Sequence, residues 1–433
     1  MEVSWRRAFS VSTGGPRSAS HHSACLCHPL HAGHLPMAIS VVSRHGKVAY
    51  TKATGFSDAE GKVPIRDDDI FRLYSMTKPP VAVGLLMLYE EGRFQLDDPV
   101  WYFLGPKWKK ENVRVFKAWT NREACEYTTE PAEREITMRH VLTHTAGLSH
   151  GFDRSGVGIP VDRIYAKQWK RPSLTPRDGS TLVKEGDMSM LGAFIDGLGD
   201  MPLLYQPGTQ WNYSHAPDVQ GRLIEVLSGQ PLDVFLEARL FSKCGMVDTG
   251  FDVPPAKAHR LTHCYSYVPP DGSGGGGGVQ LSDKEANLAE AVSGDAAITF
   301  PHIGSFRDND DGSGRSNAGY LNTNRPKMIS GAGGMVGTVA DYARFCNMLL
   351  AGGVTSSGER ILGVKTIEFA TSNHLPDGKG LLDMIIDPKV QYSETAANGG
   401  ERLIRFWRVC NGSLLAFRTF VCTATFACKT LFC

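Results

Sequence analysis

Ser75-Met76-Thr77-Lys78-Pro79-Pro80-Val81-Ala82-Val83-Gly84-Leu85-Leu86-Met87-Leu88-Tyr89-Glu90-Glu91-Gly92 is the stretch on which the reading of this 433-residue chain turns. Val81, Val83, Leu85, Leu86, Leu88 and Tyr89 leave no polar face before Gly92 ends the run. A helix that is apolar all round is buried, so Ser75–Glu91 is expected to form the central helix of a sizeable core. Ser75 and Lys78 stand three residues apart, a spacing that makes them neighbours on one helical face. A serine hydroxyl is a poor nucleophile until a base takes its proton, and a partly desolvated amine beside it can do so. The helix N-terminus adds orphan N–H groups and a positive dipole end, which favour negative charge developing on an attacked carbonyl. The competing reading is a capping serine followed by a solvated lysine. Against it, this lysine opens the most apolar helix of the sequence, an expensive place for an unpaired charge. Pro79 suits a first turn, whereas Pro80 is expected to distort the turn that positions Lys78.

Outward from this helix the chain is ordinary in composition. It carries 46 Lys+Arg against 45 Asp+Glu, with 42% hydrophobic and 21% charged residues. Those fractions argue against whole-chain disorder, and the near balance of charge argues against a dedicated nucleic-acid binder. No uncharged apolar run reaches the roughly 18 residues of a membrane span, so a soluble protein is expected. The length accommodates two or three domains, or one large core with a big insertion. Cys125, Cys244, Cys264 and Cys346 show no paired spacing for zinc, while Cys25, Cys27, Cys410, Cys422, Cys428 and Cys433 sit near the ends. This sparse pattern favours a reduced, intracellular setting.

Both ends differ from the middle. Residues 1–36 hold five of the 14 histidines, Arg6, Arg7 and Arg17, and one acid, Glu2. That makeup fits either a poorly ordered segment or a mitochondrial targeting one, and the compartment is read as cytoplasmic with mitochondrial as the alternative. From Glu401 the composition breaks again, into an Arg-, Phe-, Thr- and Cys-rich tail in which no strand or closing helix is evident. Between the ends, Ala38–Ser43 and Lys47–Thr54 around Arg44-His45-Gly46 alternate as a β-hairpin. Ile136–Leu142, Val219–Leu227 and Leu232–Leu240 have helical spacing, with Thr137 and either Ser214 or Asp218 as caps. Gly272–Gly278 and Asp308–Asn317 are expected to be surface connections.

Several motifs in order carry a resemblance. After Phe71-Arg72-Leu73-Tyr74-Ser75-Met76-Thr77-Lys78 come Leu86–Gly92, Leu96-Asp97-Asp98-Pro99-Val100 and Ile136–Leu148, which holds His144-Thr145-Ala146-Gly147-Leu148. Then follow Gln206-Pro207-Gly208-Thr209-Gln210-Trp211-Asn212-Tyr213-Ser214, Gly245–Phe251 and Gly333-Gly334-Met335-Val336-Gly337-Thr338. Over residues 37–400 the chain resembles the serine beta-lactamase-related family of class C beta-lactamases, penicillin-binding proteins and family VIII esterases, with the esterase branch nearer.

The resemblance implies an α/β fold of the α+β type. An antiparallel sheet flanked by helices would be built from about 37–95 and 330–400, around an inserted, mainly helical region at about 96–329. It implies Ser75 as the acyl-forming nucleophile, with Lys78 and Tyr213 sharing the acid–base work. A tyrosine of ordinary pKa about 10 becomes a usable base only beside positive charge, which Lys78 would supply. His215 stands where lactamases of the family carry Asn in Tyr-x-Asn; that departure favours esterases and makes His215 a rim residue. Trp211 either lines the site or packs beneath it. Gly333 and Gly334 are expected to line the substrate pocket. The implied function is a serine hydrolase of small carboxylic esters with weak beta-lactamase activity, using no metal or cofactor. An acyltransferase and a noncatalytic scaffold are the alternatives. The scaffold is kept because the family's third motif, due after Asn398-Gly399-Gly400, is replaced by Glu401-Arg402-Leu403-Ile404-Arg405.

Other constellations fail. His140 and His144 lie at i,i+4, but Val141 occupies the place of a zinc protease's Glu, so packing and local hydrogen bonds are expected of them. Asp308-Asn309-Asp310-Asp311-Gly312 lacks the glycine and the bidentate Glu of a calcium loop. Glycosylation at Asn212-Tyr213-Ser214 would block the site.

Overall fold

The computed structural model describes residues 37–58, 62–151, 158–169, 189–263, 326, 328–384 and 424–427. The Gly-rich stretch at 272–278, the acidic stretch at 308–317, the third-motif position after Gly400 and residues 1–36 lie outside them.

The hairpin forms where expected. β1 (Met37–Arg44) pairs antiparallel with β2 (Lys47–Asp58) through a two-residue turn. His45 and Gly46 both take positive φ there, 51° and 75°, the conformation whose twist matches the flanking strands. β3 (Val63–Pro64) extends the outer edge beside β2. Met37, Ala38, Ile39, Ser40 and Val41 are all buried, as a strand paired on both sides and covered by helix requires.

The fourth strand corrects the reading of the tail. Ala424–Ala427 forms β8 and pairs antiparallel with β1, from Ala38 opposite Ala427 to Val41 opposite Ala424. Four residues carry little local pattern, and the unpaired N–H and C=O groups along the edge of β1 recruit them. Two further antiparallel pairs stand apart from this sheet: β4 (Phe71–Arg72) with β7 (Val336–Gly337), and the hairpin β5 (Arg114–Asn121) with β6 (Glu126–Pro131). The sequence reading did not foresee this second hairpin within the stretch expected to be mainly helical.

The central helix, α1 (Lys78–Glu90), is buried continuously from Pro80 to Leu88. It is preceded by a 3₁₀ turn, Tyr74–Thr77, and not by more α-helix. Both Pro79 and Pro80 fall in the first turn of α1, where N–H groups have no intrahelical partner. The distortion expected at Pro80 therefore has no lost hydrogen bond behind it.

α2 (Met138–Leu142) packs on α3 (Ala216–Ser228), α3 and α4 (Leu232–Leu236) pack on α1, and α5 (Val339–Leu350) lies across β1 and β8. Gly84 admits α4: a Cβ there would come within 2.8 Å of the Leu236 side chain. Thr137 caps α2 as expected, and His140 closes a capping box by accepting from the Thr137 N–H. The caps expected for α3 differ. His215 takes the N-cap position without a side-chain cap bond, Ser214 accepts from the Ala216 N–H at 3.3 Å, and Asp218 turns into the interior.

Candidate active site

The β4–β7 pair sets Ser75 in place. Leu73 N–H donates to the Met335 carbonyl at 2.8 Å, and the chain then turns sharply through Tyr74, whose φ is +44°. A non-glycine residue held in this region costs about 1–3 kcal/mol and persists where its surroundings enforce it. Here they do: the buried Thr77 Oγ1 accepts from the Met335 N–H at 3.1 Å, and the Tyr342 hydroxyl donates to the Met76 carbonyl at 3.1 Å. Lys78 Nζ then donates to Ser75 Oγ at 2.9 Å and to the Ala332 carbonyl at 2.6 Å.

Tyr213 arrives from a distant part of the chain. Its hydroxyl donates to Ser75 Oγ at 2.8 Å, and Lys78 Nζ lies 4.7 Å from its ring centre. The segment bearing it is laced to residues 144–149: Asn212 N–H donates to the His144 carbonyl, the buried Asn212 amide to the Leu148 carbonyl and Ser149 Oγ, and His215 N–H to the Ser149 carbonyl. Gly147 lets the chain at 203–205 approach the same loop, since a Cβ there would fall 2.5 Å from the Tyr205 carbonyl oxygen.

Two histidines frame the phenol. The rings of His144 and His150 each lie 5.3 Å from that of Tyr213, at 14° and 11° to it. Burial, with the nearby Lys78 cation second, holds the His144 imidazole down to about 3. Burial, then His215, Lys78 and His144, also pushes His150 well below its ordinary value. Both are therefore neutral at neutral pH, and they leave Lys78 as the cation against the Tyr213 ring. His144 thus serves packing and a local hydrogen bond, as expected, with its Nδ1 3.0 Å from Ser214 Oγ, whereas no motif in the sequence points to His150. His140, the other half of the i,i+4 pair, does serve local hydrogen bonding.

Residues 23–380 match the Beta-lactamase family. The chain belongs to that family. Protein Rv1367c of Mycobacterium tuberculosis (strain ATCC 25618 / H37Rv) is 28% identical over 346 residues, covering 80% of this chain and 70% of the relative. Esterase EstB of Burkholderia gladioli is 34% identical over 214 residues, which is 49% of this chain and 46% of EstB. Among solved structures, unliganded Simvastatin Synthase (LovD) from Aspergillus terreus superposes with a TM-score of 0.58 at 18% identity, over 89% of this chain and 78% of that one. The fold is thus the beta-lactamase/transpeptidase-like one, and the serine beta-lactamase-related resemblance holds across most of the chain.

Within this family fold, the remaining expected pocket residues are placed as follows. Trp211 packs beneath the site: it is buried with Leu375 and Met384 against Tyr213, and its N–H donates to the Met384 carbonyl at 2.8 Å. His215 is not a rim residue. It is 7% exposed, its Nδ1 lies 2.9 Å from Asp218 Oδ2, and Trp169, Phe194 and His150 surround its ring. Gly333 lies half-buried against the Tyr74 backbone, beside Ser75. Gly334, its neighbour, is buried, and a Cβ on it would meet the Ser330 carbonyl at 2.9 Å and Phe251 at 3.1 Å. Among the described residues no cluster of three His, Cys, Asp or Glu side chains is arranged to hold a metal ion, and no helix is long and apolar enough to cross a membrane.

An oxygen approached by an amine and a phenol from two sides has two routes by which to lose its proton. As a free amine or as a phenolate, either neighbour can accept it.

Proposed function

We propose that this beta-lactamase-family chain is a serine hydrolase that cleaves small carboxylic esters through an acyl-enzyme on Ser75. The observation that carries the reading is the convergence of Lys78 Nζ at 2.9 Å and Tyr213 Oη at 2.8 Å on Ser75 Oγ. In the first step Lys78 or Tyr213 takes the Ser75 proton as Oγ bonds to the ester carbonyl carbon. The carbon–alkoxy bond then breaks, and the alcohol departs with that proton. Water next attacks the acyl carbon, gives its proton to the same base, and releases the carboxylic acid as Ser75 is reprotonated. The name of Esterase EstB, similar over about half of this chain, supports an ester as substrate. An alcohol entering in place of water would make the same intermediate an acyl donor.

The test is intact mass spectrometry of the full chain mixed with p-nitrophenyl butyrate, beside Ser75→Ala. A butyryl adduct on the parent alone, with steady release of p-nitrophenol, is expected. A folded parent that never acylates would sink the esterase reading in favour of a noncatalytic scaffold. Adding a small primary alcohol separates transfer from hydrolysis by the ester it yields.

A further inference from the structure

The carbonyl that receives Lys78 is itself held from behind. Ala332 accepts from Lys78 through its oxygen, and its own N–H donates to Asp218 Oδ1 at 3.1 Å and to Ser330 Oγ at 3.2 Å. Ser330 Oγ donates to the same carboxylate oxygen at 2.7 Å, and His215 Nδ1 sits 2.9 Å from the other, Oδ2. Asp218 is 1% exposed. Burial alone would raise its pKa, but the bonds from His215, Ser330 and Ala332 more than offset that and hold it below the usual carboxylate range. His215 Nε2 is buried without a hydrogen-bond partner, so the imidazole hydrogen belongs on Nδ1, donating to Asp218.

The loop and the helix are pressed together. A Cβ on Gly331 would fall 2.3 Å from the Pro217 carbonyl oxygen, so no side chain fits between Ala332 and the first turn of α3. One segment therefore delivers both the phenol of Tyr213 to Ser75 and the carboxylate of Asp218 to the residue that receives Lys78.

We infer that Asp218, oriented by His215, is a positioning residue for Lys78: by holding Ala332 it determines where Nζ rests between the Ala332 carbonyl and Ser75 Oγ. A carboxylate buried at the cost of several kcal/mol of hydration is thereby accounted for, as is His215 in the place where related lactamases carry Asn. The titratable groups facing this assembly are Lys78 from α1, His144 and His150 from the loop after α2, and Tyr213 and His215 beside Asp218; Ser330 and Ala332 bring no charge. The inference depends on the proposed Ser75 chemistry only for its kinetic readout.

The test compares Asp218→Asn and Ser330→Ala with the parent full chain. Hydrolysis of p-nitrophenyl butyrate by Asp218→Asn should lose about 10- to 100-fold in kcat, the scale of a small misplacement of a catalytic group. KM should change little, and the limb of the pH–rate profile set by Lys78 should move to lower pH, because a nearby negative charge that favours the ammonium is gone. Ser330→Ala keeps the charge and removes one tether, so it should lose kcat by less, with its pH profile unmoved. A folded Asp218→Asn with the parent's kcat and pH profile overturns the inference. If Asp218→Asn does not fold, a folded Ser330→Ala with the parent's kcat overturns it. Should the parent itself never acylate, the esterase reading falls alone; the titration of Lys78 Nζ, followed by NMR of lysine-labelled chain and assigned with Lys78→Arg, then decides. An unchanged Lys78 midpoint in Asp218→Asn, or an unchanged Lys78 Nζ chemical shift in Ser330→Ala should Asp218→Asn not fold, overturns the positioning role.

Discussion

Replacing Tyr213 by Phe separates what the phenol contributes to chemistry from what it contributes to the fold. The substitution removes one oxygen, the one 2.8 Å from Ser75 Oγ. The ring keeps its neighbours, His144 and His150 at 5.3 Å and the buried Trp211. One neutral hydrogen bond at a half-buried position contributes about 0.5–1.5 kcal/mol net to stability, so the melting temperature should fall by only a few degrees. The loss of a positioned acid–base group costs about 10²–10⁴ in rate, equivalent to about 2.7–5.5 kcal/mol of activation free energy. The two effects therefore differ enough to be told apart. Stopped-flow release of p-nitrophenol gives the acylation rate, intact mass gives the acyl-enzyme level, and thermal unfolding gives the stability. A folded Tyr213→Phe that acylates within about fivefold of the parent would refute the reasoning and leave Lys78 as the base alone.

Other consequences are open to direct measurement. Leu86, fully buried in α1, should lose about 2–5 kcal/mol of stability when replaced by Ala, read from urea unfolding; a loss under 1 kcal/mol would mean that the helix is not the centre of the core. Gly331→Ala drives a Cβ into the Pro217 carbonyl, and overpacking of that kind costs about 1–3 kcal/mol; it should also depress esterase activity, because Ala332 must shift. Acid should destabilise the fold well above the carboxylate range. His140 is held down to about 4 and His144 to about 3, chiefly by burial, so the unfolded chain binds more protons than the folded one between those values and about 6.5. Stability is then fully present above pH 6.5 and falls as pH drops toward 3, by up to about 1.4 kcal/mol per unit for each histidine; equal melting temperatures at pH 4.5 and pH 7.5 would contradict this. The buried Cys244 and Cys346 thiols, pushed up to about 12 by burial, should resist iodoacetamide at pH 8 in the native chain and react in denaturant.

The sequence made some features legible because their cause is local. The apolar run Val81–Leu88 can only be an interior helix, and Ser75 and Lys78 can be neighbours through spacing alone. His45-Gly46 turns the hairpin because a two-residue loop needs positive φ, and Thr137 caps α2 because its hydroxyl reaches the N–H of His140. Where a side chain's role depends on what the rest of the chain brings to it, the sequence left the question open. Nothing near Tyr74 announces a left-handed backbone; the β4–β7 pairing and Thr77 enforce it from residues 335–337.

His215 shows the limit most clearly. Read beside Tyr213 it looks like a rim residue of a substrate cleft, and its neighbour Asp218 looks like a helix cap. Only packing against Trp169, Phe194 and the loop at 330–332 turns both inward, since a buried carboxylate must collect donors from whatever surrounds it. The sequence by itself placed Ser75 beside Lys78 at the head of a buried helix, because that depends on periodicity and on the cost of burying charge. The meeting of Tyr213 with Ser75, the histidine frame around the phenol and the Asp218 support of Lys78 were decided by tertiary structure alone, because they join residues separated by tens to hundreds of positions whose contact no local spacing encodes.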